Sequence, residues 1–176
     1  MRFTTPIDIA SFPFQLTPQS HIVVLGSCFA EHIGQRLAHT LPEEQVCVNP
    51  FGVLYHPMVL ARALDLLAFP RPLPEDVFFE GNDGLWHSWW HAGAFSAPTR
   101  DKCVQLVETS LNKAREVLKK ADLLILTLST DHGYFLKEDL QWGDLVANCH
   151  KMPSTMFEKK VCALDQMVTM WEDRKS

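Results

Sequence analysis

The sequence predicts an α/β domain: a parallel sheet flanked by helices. Three stretches carry that prediction. His21-Ile22-Val23-Val24-Leu25 is a short run rich in β-branched residues that breaks at Gly26-Ser27-Cys28, after which apolar residues recur at Ala30, Ile33, Leu37 and Leu41 with helical spacing. Between Asp101 and Ala121, Val104, Val107, Leu111, Ala114, Leu118 and Ala121 step by three and four, with Lys, Glu and Arg between them, which is the pattern of an amphipathic helix packed on a sheet. Asp122-Leu123-Leu124-Ile125-Leu126-Thr127-Leu128 is a continuous apolar run of the kind expected for a central parallel strand, covered on both faces.

The chain has 176 residues, 47% of them hydrophobic, which suits a single domain over 1–176 with a substantial core. A net charge of -5 with no Lys/Arg cluster excludes a nucleic-acid surface. Met1-Arg2-Phe3-Thr4-Thr5-Pro6 lacks the apolar core of a signal peptide, and no apolar run approaches the ~20 residues of a membrane span, so a cytoplasmic protein is expected. Five cysteines without a Cys-x-x-Cys pair favour reduced thiols over disulfides or a zinc knuckle. The histidines have no cysteine or carboxylate at recognised ligand spacing, so no metal is expected, and nothing calls for a cofactor.

Taken in order, residues 1–20 carry Pro6, Pro13 and Pro18 and read as an extended arm held to the surface by Phe12 and Phe14. After the first strand and helix, Leu41-Pro42-Glu43-Glu44 stops the helix and Gln45-Val46-Cys47-Val48 is a short second strand. The loop Asn49-Pro50-Phe51-Gly52 leaves that strand at its carboxyl end, beside the Ser27 turn, where parallel sheets place their ligands. From Pro57 to Phe69, Val59, Leu60, Ala63, Leu64 and Leu67 make a helix buried on most faces. Residues 70–98 lose periodicity. Three prolines, Phe78-Phe79, a turn at Gly81-Asn82-Asp83-Gly84 and Trp86, Trp89 and Trp90 read as an aromatic insertion that either covers the site or forms a satellite core.

Beyond the apolar strand, Ser129-Thr130-Asp131-His132-Gly133 is a third loop at the same sheet edge, and Tyr134–Cys149 reads as a hairpin turning at Trp142-Gly143-Asp144. Thr155-Met156-Phe157-Glu158 has the form of a capping box, and Phe157, Val161, Leu164, Val168 and Trp171 then suggest one amphipathic helix. Only about three parallel strands result, against the usual ~4–6. The sheet is expected to be incomplete on its C-terminal side, with an open edge covered by a partner chain or a second copy.

A serine at a strand-to-helix turn is exposed and can use its own N–H to hold an oxyanion, which makes Ser27 the nucleophile candidate; the plain alternative is that Ser27 caps the helix. Cys28 is the rival, as a thiol at a helix N-terminus. Gly52 offers a second N–H that a substrate can approach closely, or is an ordinary turn glycine. His132 is a base candidate because its loop leaves the apolar strand.

Gly26-Ser27-Cys28-Phe29-Ala30 resembles the motif that names the GSCFA-domain family, and three further stretches are similar to that family in the same order: Asn49–Tyr55, Leu85–Ser88 and Asn148–Lys151. The resemblance implies a divergent branch of the SGNH hydrolases, a three-layer flavodoxin-like fold, and serine chemistry on small O-acyl esters such as those of carbohydrates. It implies Ser27 as nucleophile with Cys28 turned inward to pack. It also points to Asn148 as the amide donor and to His150, beside it, as the leading base candidate. The SGNH pattern departs at Ser129, where a Gly is expected, and at Asp131, which does not replace an oxyanion-binding Asn. The Asp-x-x-His that supplies the base in SGNH enzymes does not occur in this sequence. Two other readings stay open: a binding or scaffold domain without a working base, and thiol chemistry at Cys28.

Overall fold

The computed structural model describes residue 11 and residues 13–137 and 145–172. The start of the expected arm with Phe12, the expected hairpin turn at Trp142-Gly143-Asp144 and the residues from Asp173 onward lie outside the described residues.

The strand β1 (Ile22–Gly26) lies between β2 (Val46–Val48) and β5 (Leu123–Thr127), and all three are parallel. Successive strand residues point to opposite faces, and β1 uses both. Ile22 and Val24 pack with Ala30, Leu37 and Leu41 in and after α1 (Cys28–Ala38). Val23 and Leu25 face the main core, which contains the apolar sides of α2 (Pro57–Ala68) and α3 (Arg100–Leu118). Helices therefore cover both faces of a parallel sheet, as the periodicities predict. Ser110 of α3 donates its hydroxyl proton to Pro50 O (2.8 Å), tying that helix to the loop after β2. Ser110→Ala is expected to cost about 1 kcal/mol, read as a lower urea midpoint with an unchanged slope.

Three expectations need correction. The apolar run at 122–128 forms β5, but β1 takes the centre and β5 lies at an edge of the described sheet, with Leu124 39% and Leu128 55% exposed. Its composition suits two covered faces, yet β1 is its only pairing partner among the described strands. Secondly, the insertion contains the hairpin β3 (Phe78–Glu80) and β4 (Trp86–Ser88), but Trp89 and Trp90 belong to the main core rather than to a satellite. Trp89 stacks on Phe79 with ring centroids 3.6 Å apart, and the Arg62 guanidinium of α2 lies 4.4 Å from the centre of the Trp90 ring.

Thirdly, residues 157–161 are not helical. A single 3-10 turn at Ser154–Met156 leads into β8 (Phe157–Val161), which pairs antiparallel with β6 (His132–Leu136); β7 (Leu145–Val146) pairs on the other side of β6, and α4 (Leu164–Glu172) follows. The reason is a competition. A capping box contributes about 1 kcal/mol locally, whereas pairing gives Phe157–Val161 a ladder along all of β6 and buries Phe157 while Glu158, Lys159 and Lys160 stay in water. The expected hairpin after Gly133 is present, with β6 beginning two residues earlier, at His132. Among the described residues no helix is long and apolar enough to cross a membrane.

Candidate functional site

Strand β1 ends on Gly26, whose φ of +140° few residues other than glycine adopt. A Cβ there would lie 2.4 Å from Thr127 O, so only glycine lets β1 and β5 close together at this edge. Ser27 follows as the residue immediately before α1, and it is 7% exposed. Its side chain makes no capping bond to the helix; the hydroxyl instead meets Thr127 Oγ1 at 2.9 Å, and Thr127 Oγ1 also accepts the Ser27 N–H at 2.9 Å. The capping alternative is thereby set aside. Cys28 and Phe29 are exposed, which corrects the expectation that Cys28 turns inward: as the first helical residue it points away from the sheet.

The loop after β2 comes up beside this turn. Asn49, buried and with φ +44°, accepts the Gly26 N–H on Oδ1 at 2.9 Å, while its Nδ2 is buried with no hydrogen-bond partner among the described residues. Asn49 thus holds the backbone next to Ser27 and keeps an unspent amide donor. Gly52, φ +79°, donates its N–H to Asn49 O at 2.7 Å, and its missing Cβ makes room for Ala92. Its N–H therefore closes a turn in the free protein. Leu54 N donates to Gly26 O (2.8 Å), and Tyr55 O accepts from Ser129 N and Thr130 N (3.1 and 3.3 Å), so the segment after Gly52 ties the Ser27 turn to the loop leaving β5.

Along that segment opens a cleft of about 480 Å³ whose walls include Tyr55, His56, Thr130, His132, Asn148 and Lys159. The Asp131 carboxylate is hydrogen-bonded to His132 Nδ1, so that imidazole has an orienting partner on one nitrogen. Burial holds His56 below the usual histidine pKa. Asn148 Oδ1 accepts the His150 N–H at 2.8 Å. His150 itself is turned to the insertion: its Nε2 donates to Ser88 O (2.8 Å), its ring lies 4.6 Å from that of His87, and burial lowers its pKa. His87 is buried between Asp83 (2.9 Å) and Ser96 (2.6 Å).

Of the residues singled out in the sequence, Ser27 and the Asn49–Gly52 loop meet at the carboxyl edge of the sheet, and Asn148 and His132 share the cleft. His150 does not line that cleft. Among the described residues Ser27 Oγ has one hydrogen-bond partner, Thr127, and no imidazole. Sequence reasoning missed Thr127, Asn49, His56 and Lys159. Thr127 had a signal, since it ends the apolar run at the edge where Ser27 stands.

The family model of the GSCFA family matches residues 21–175. The chain belongs to the GSCFA family. Ser27 is the serine of the motif that names the GSCFA family, and the match runs from the start of β1 past α4, taking in the cleft and all three described sheets. No curated protein and no solved structure compared with the chain matches it.

Proposed function

We propose that this GSCFA domain is a serine ester hydrolase or acyltransferase of the SGNH type, acting on small O-acyl esters, with Ser27 as nucleophile. The observation that carries the reading is the Ser27 hydroxyl, which stands at the N-terminus of α1 without capping it. In the reaction Ser27 Oγ gives its proton to a base and bonds the acyl carbon, and the alcohol leaves with a proton returned by that base. Water or a second alcohol then takes the acyl group from Ser27. The Asn49 and Asn148 side-chain amides are the donors with N–H groups to spare for the oxyanion, and the N–H groups of Ser27 and Gly52 join them once their bonds to Thr127 Oγ1 and Asn49 O open. Of the two base candidates His132, whose imidazole Asp131 orients, is favoured over His150, whose Nε2 must first leave Ser88 O. Catalysis requires Ser27 to exchange its Thr127 bond for one to an imidazole.

That same bond favours the second reading, a binding domain that keeps the fold without a working base. A fluorophosphonate probe separates the two. Labelling mapped to Ser27 by peptide mass spectrometry, and abolished in Ser27→Ala, is the expected result; a folded chain that takes no label supports the binding domain. Iodoacetamide at the exposed Cys28, with no phosphonate adduct, would point to thiol chemistry instead.

A further inference from the structure

We infer that the cleft between the start of α2 and the β6–β8 pair binds an oxyanion, a carboxylate or phosphate group carried by a small molecule. That this anion belongs to the ester consumed at Ser27 rests on the function proposed above; the anion site itself does not.

The hydrogen-bonding needs of the lining residues point this way. His56 precedes α2, is 4% exposed, and accepts the Met58 N–H on Nδ1 at 3.2 Å. A neutral imidazole that accepts on one nitrogen carries its proton on the other, so Nε2 is a donor. That atom is buried and has no hydrogen-bond partner among the described residues. The Asp131 carbonyl, which also accepts the Cys162 N–H at 2.9 Å, is an acceptor near the ring, but no hydrogen bond of full geometry joins it to Nε2. Buried donors are almost always satisfied, and His56 is a residue of the cleft wall.

Asn148 adds to the same side of the balance. Its Oδ1 is spent on the His150 N–H, so the amide group has mainly its two N–H donors left to offer. Lys159 brings a full positive charge; it has no ion pair among the described residues, and its Nζ lies 6.0 Å from the centre of the Tyr134 ring in the same wall. Tyr55 and Thr130 contribute hydroxyls, and among the described residues no carboxylate lines the cleft; Asp131, whose charge reaches His56, is hydrogen-bonded to His132. The first turn of the twelve-residue helix α2 carries no acidic side chain to neutralise its positive end. Donors, an ammonium and a helix N-terminus without a counter-charge complement an anion and disfavour a cation. The volume suits a small ligand.

The test is a titration of the full chain with inorganic phosphate at constant ionic strength, with chloride as control, followed by amide NMR. Saturable shifts confined to Val59, Thr130, Asn148 and Lys159 are expected, weakened about tenfold in Lys159→Gln and unchanged in Lys113→Gln, whose lysine lies outside the cleft and pairs with Glu43. Acetate in place of phosphate tells which oxyanion is preferred, and saturation by either supports the site. Shifts that fail to saturate, that chloride or glycerol reproduces, or that Lys159→Gln leaves untouched would overturn it. Ser27 labelling is read separately. If it fails while phosphate still binds, the hydrolase reading falls and the anion site stands; if Ser27 is labelled but no anion saturates, the reverse holds.

Discussion

Gly26→Ala is expected to destabilise the chain by about 2–6 kcal/mol and to abolish phosphonate labelling of Ser27. Two costs add at this position. The φ of +140° is one that a residue with a Cβ rarely adopts, and such strain costs about 1–3 kcal/mol. The new Cβ would also stand 2.4 Å from Thr127 O and Thr127 Oγ1 and 2.9 Å from Thr127 N. Backbone atoms of a paired strand cannot rotate away, so β1 and β5 must separate, an overpacking cost of typically 1–3 kcal/mol. Against a usual total of 5–15 kcal/mol this is a large fraction. Thr127 Oγ1 is also the partner of both the Ser27 N–H and its hydroxyl, so the displacement falls on the candidate nucleophile. Gly93→Ala is the control: no atom lies within 4 Å of its added Cβ, and its stability should change little. Urea unfolding of both variants measures the difference, and a loss below about 1 kcal/mol for Gly26→Ala would show that the sheet edge yields.

How much of this was legible beforehand depended on whether the cause was local. The turn at Gly26-Ser27 was readable because a β-branched run, a glycine and a 3.6-residue period follow one another within twenty residues. The face-splitting of β1 likewise follows from strand geometry alone. What stayed hidden was set by partners distant in sequence. Phe157–Val161 has a helical spacing in its apolar residues, yet β6 recruits it as a strand. Ser27 has the identity of a helix cap, yet Thr127, a hundred residues away, takes its hydroxyl. The cleft is the extreme case. His56, Asn148 and Lys159 lie on three separate elements, and no period or motif links them, so their common chemistry appears only when the chain has folded. Trp89 and Trp90 fall between these cases: their composition announced burial but not that the burial is in the main core.

The second large effect expected is acid lability centred on His91. This side chain is 0% exposed, hydrogen-bonded through Nδ1 to Ser88 Oγ (2.7 Å), stacked on Phe51 at 5.0 Å and edge-on to Phe95 at 5.2 Å. Its Nε2 has no hydrogen-bond partner among the described residues. Burial is the main cause, with the positive charge of Arg62 and then His150 opposing a second cation, and together they push the imidazole pKa from 6.5 down to about 3. The sign follows from proton counting. Above pH 6.5 neither state holds the proton, and the contribution to stability is constant. Between 6.5 and about 3 the unfolded chain takes up a proton that the folded chain refuses, so stability falls with falling pH by up to about 1.4 kcal/mol per unit. His56 and His150, both lowered chiefly by burial, act in the same direction. The carboxylates lowered by their partners, Asp83 beside His87 and Glu43 beside Lys113, add the same sign only in the more acidic carboxylate range. Comparing pH 7 with pH 5 therefore isolates the histidines, and His91 alone should account for about 2 kcal/mol of the loss. His91→Gln keeps a group that can bond Ser88 but cannot be protonated. Whatever it costs at pH 7, its urea midpoint should fall distinctly less than that of the parent on going to pH 5. An equal fall in both proteins would mean that His91 accepts a proton inside the core, with Arg62 moving aside to allow it.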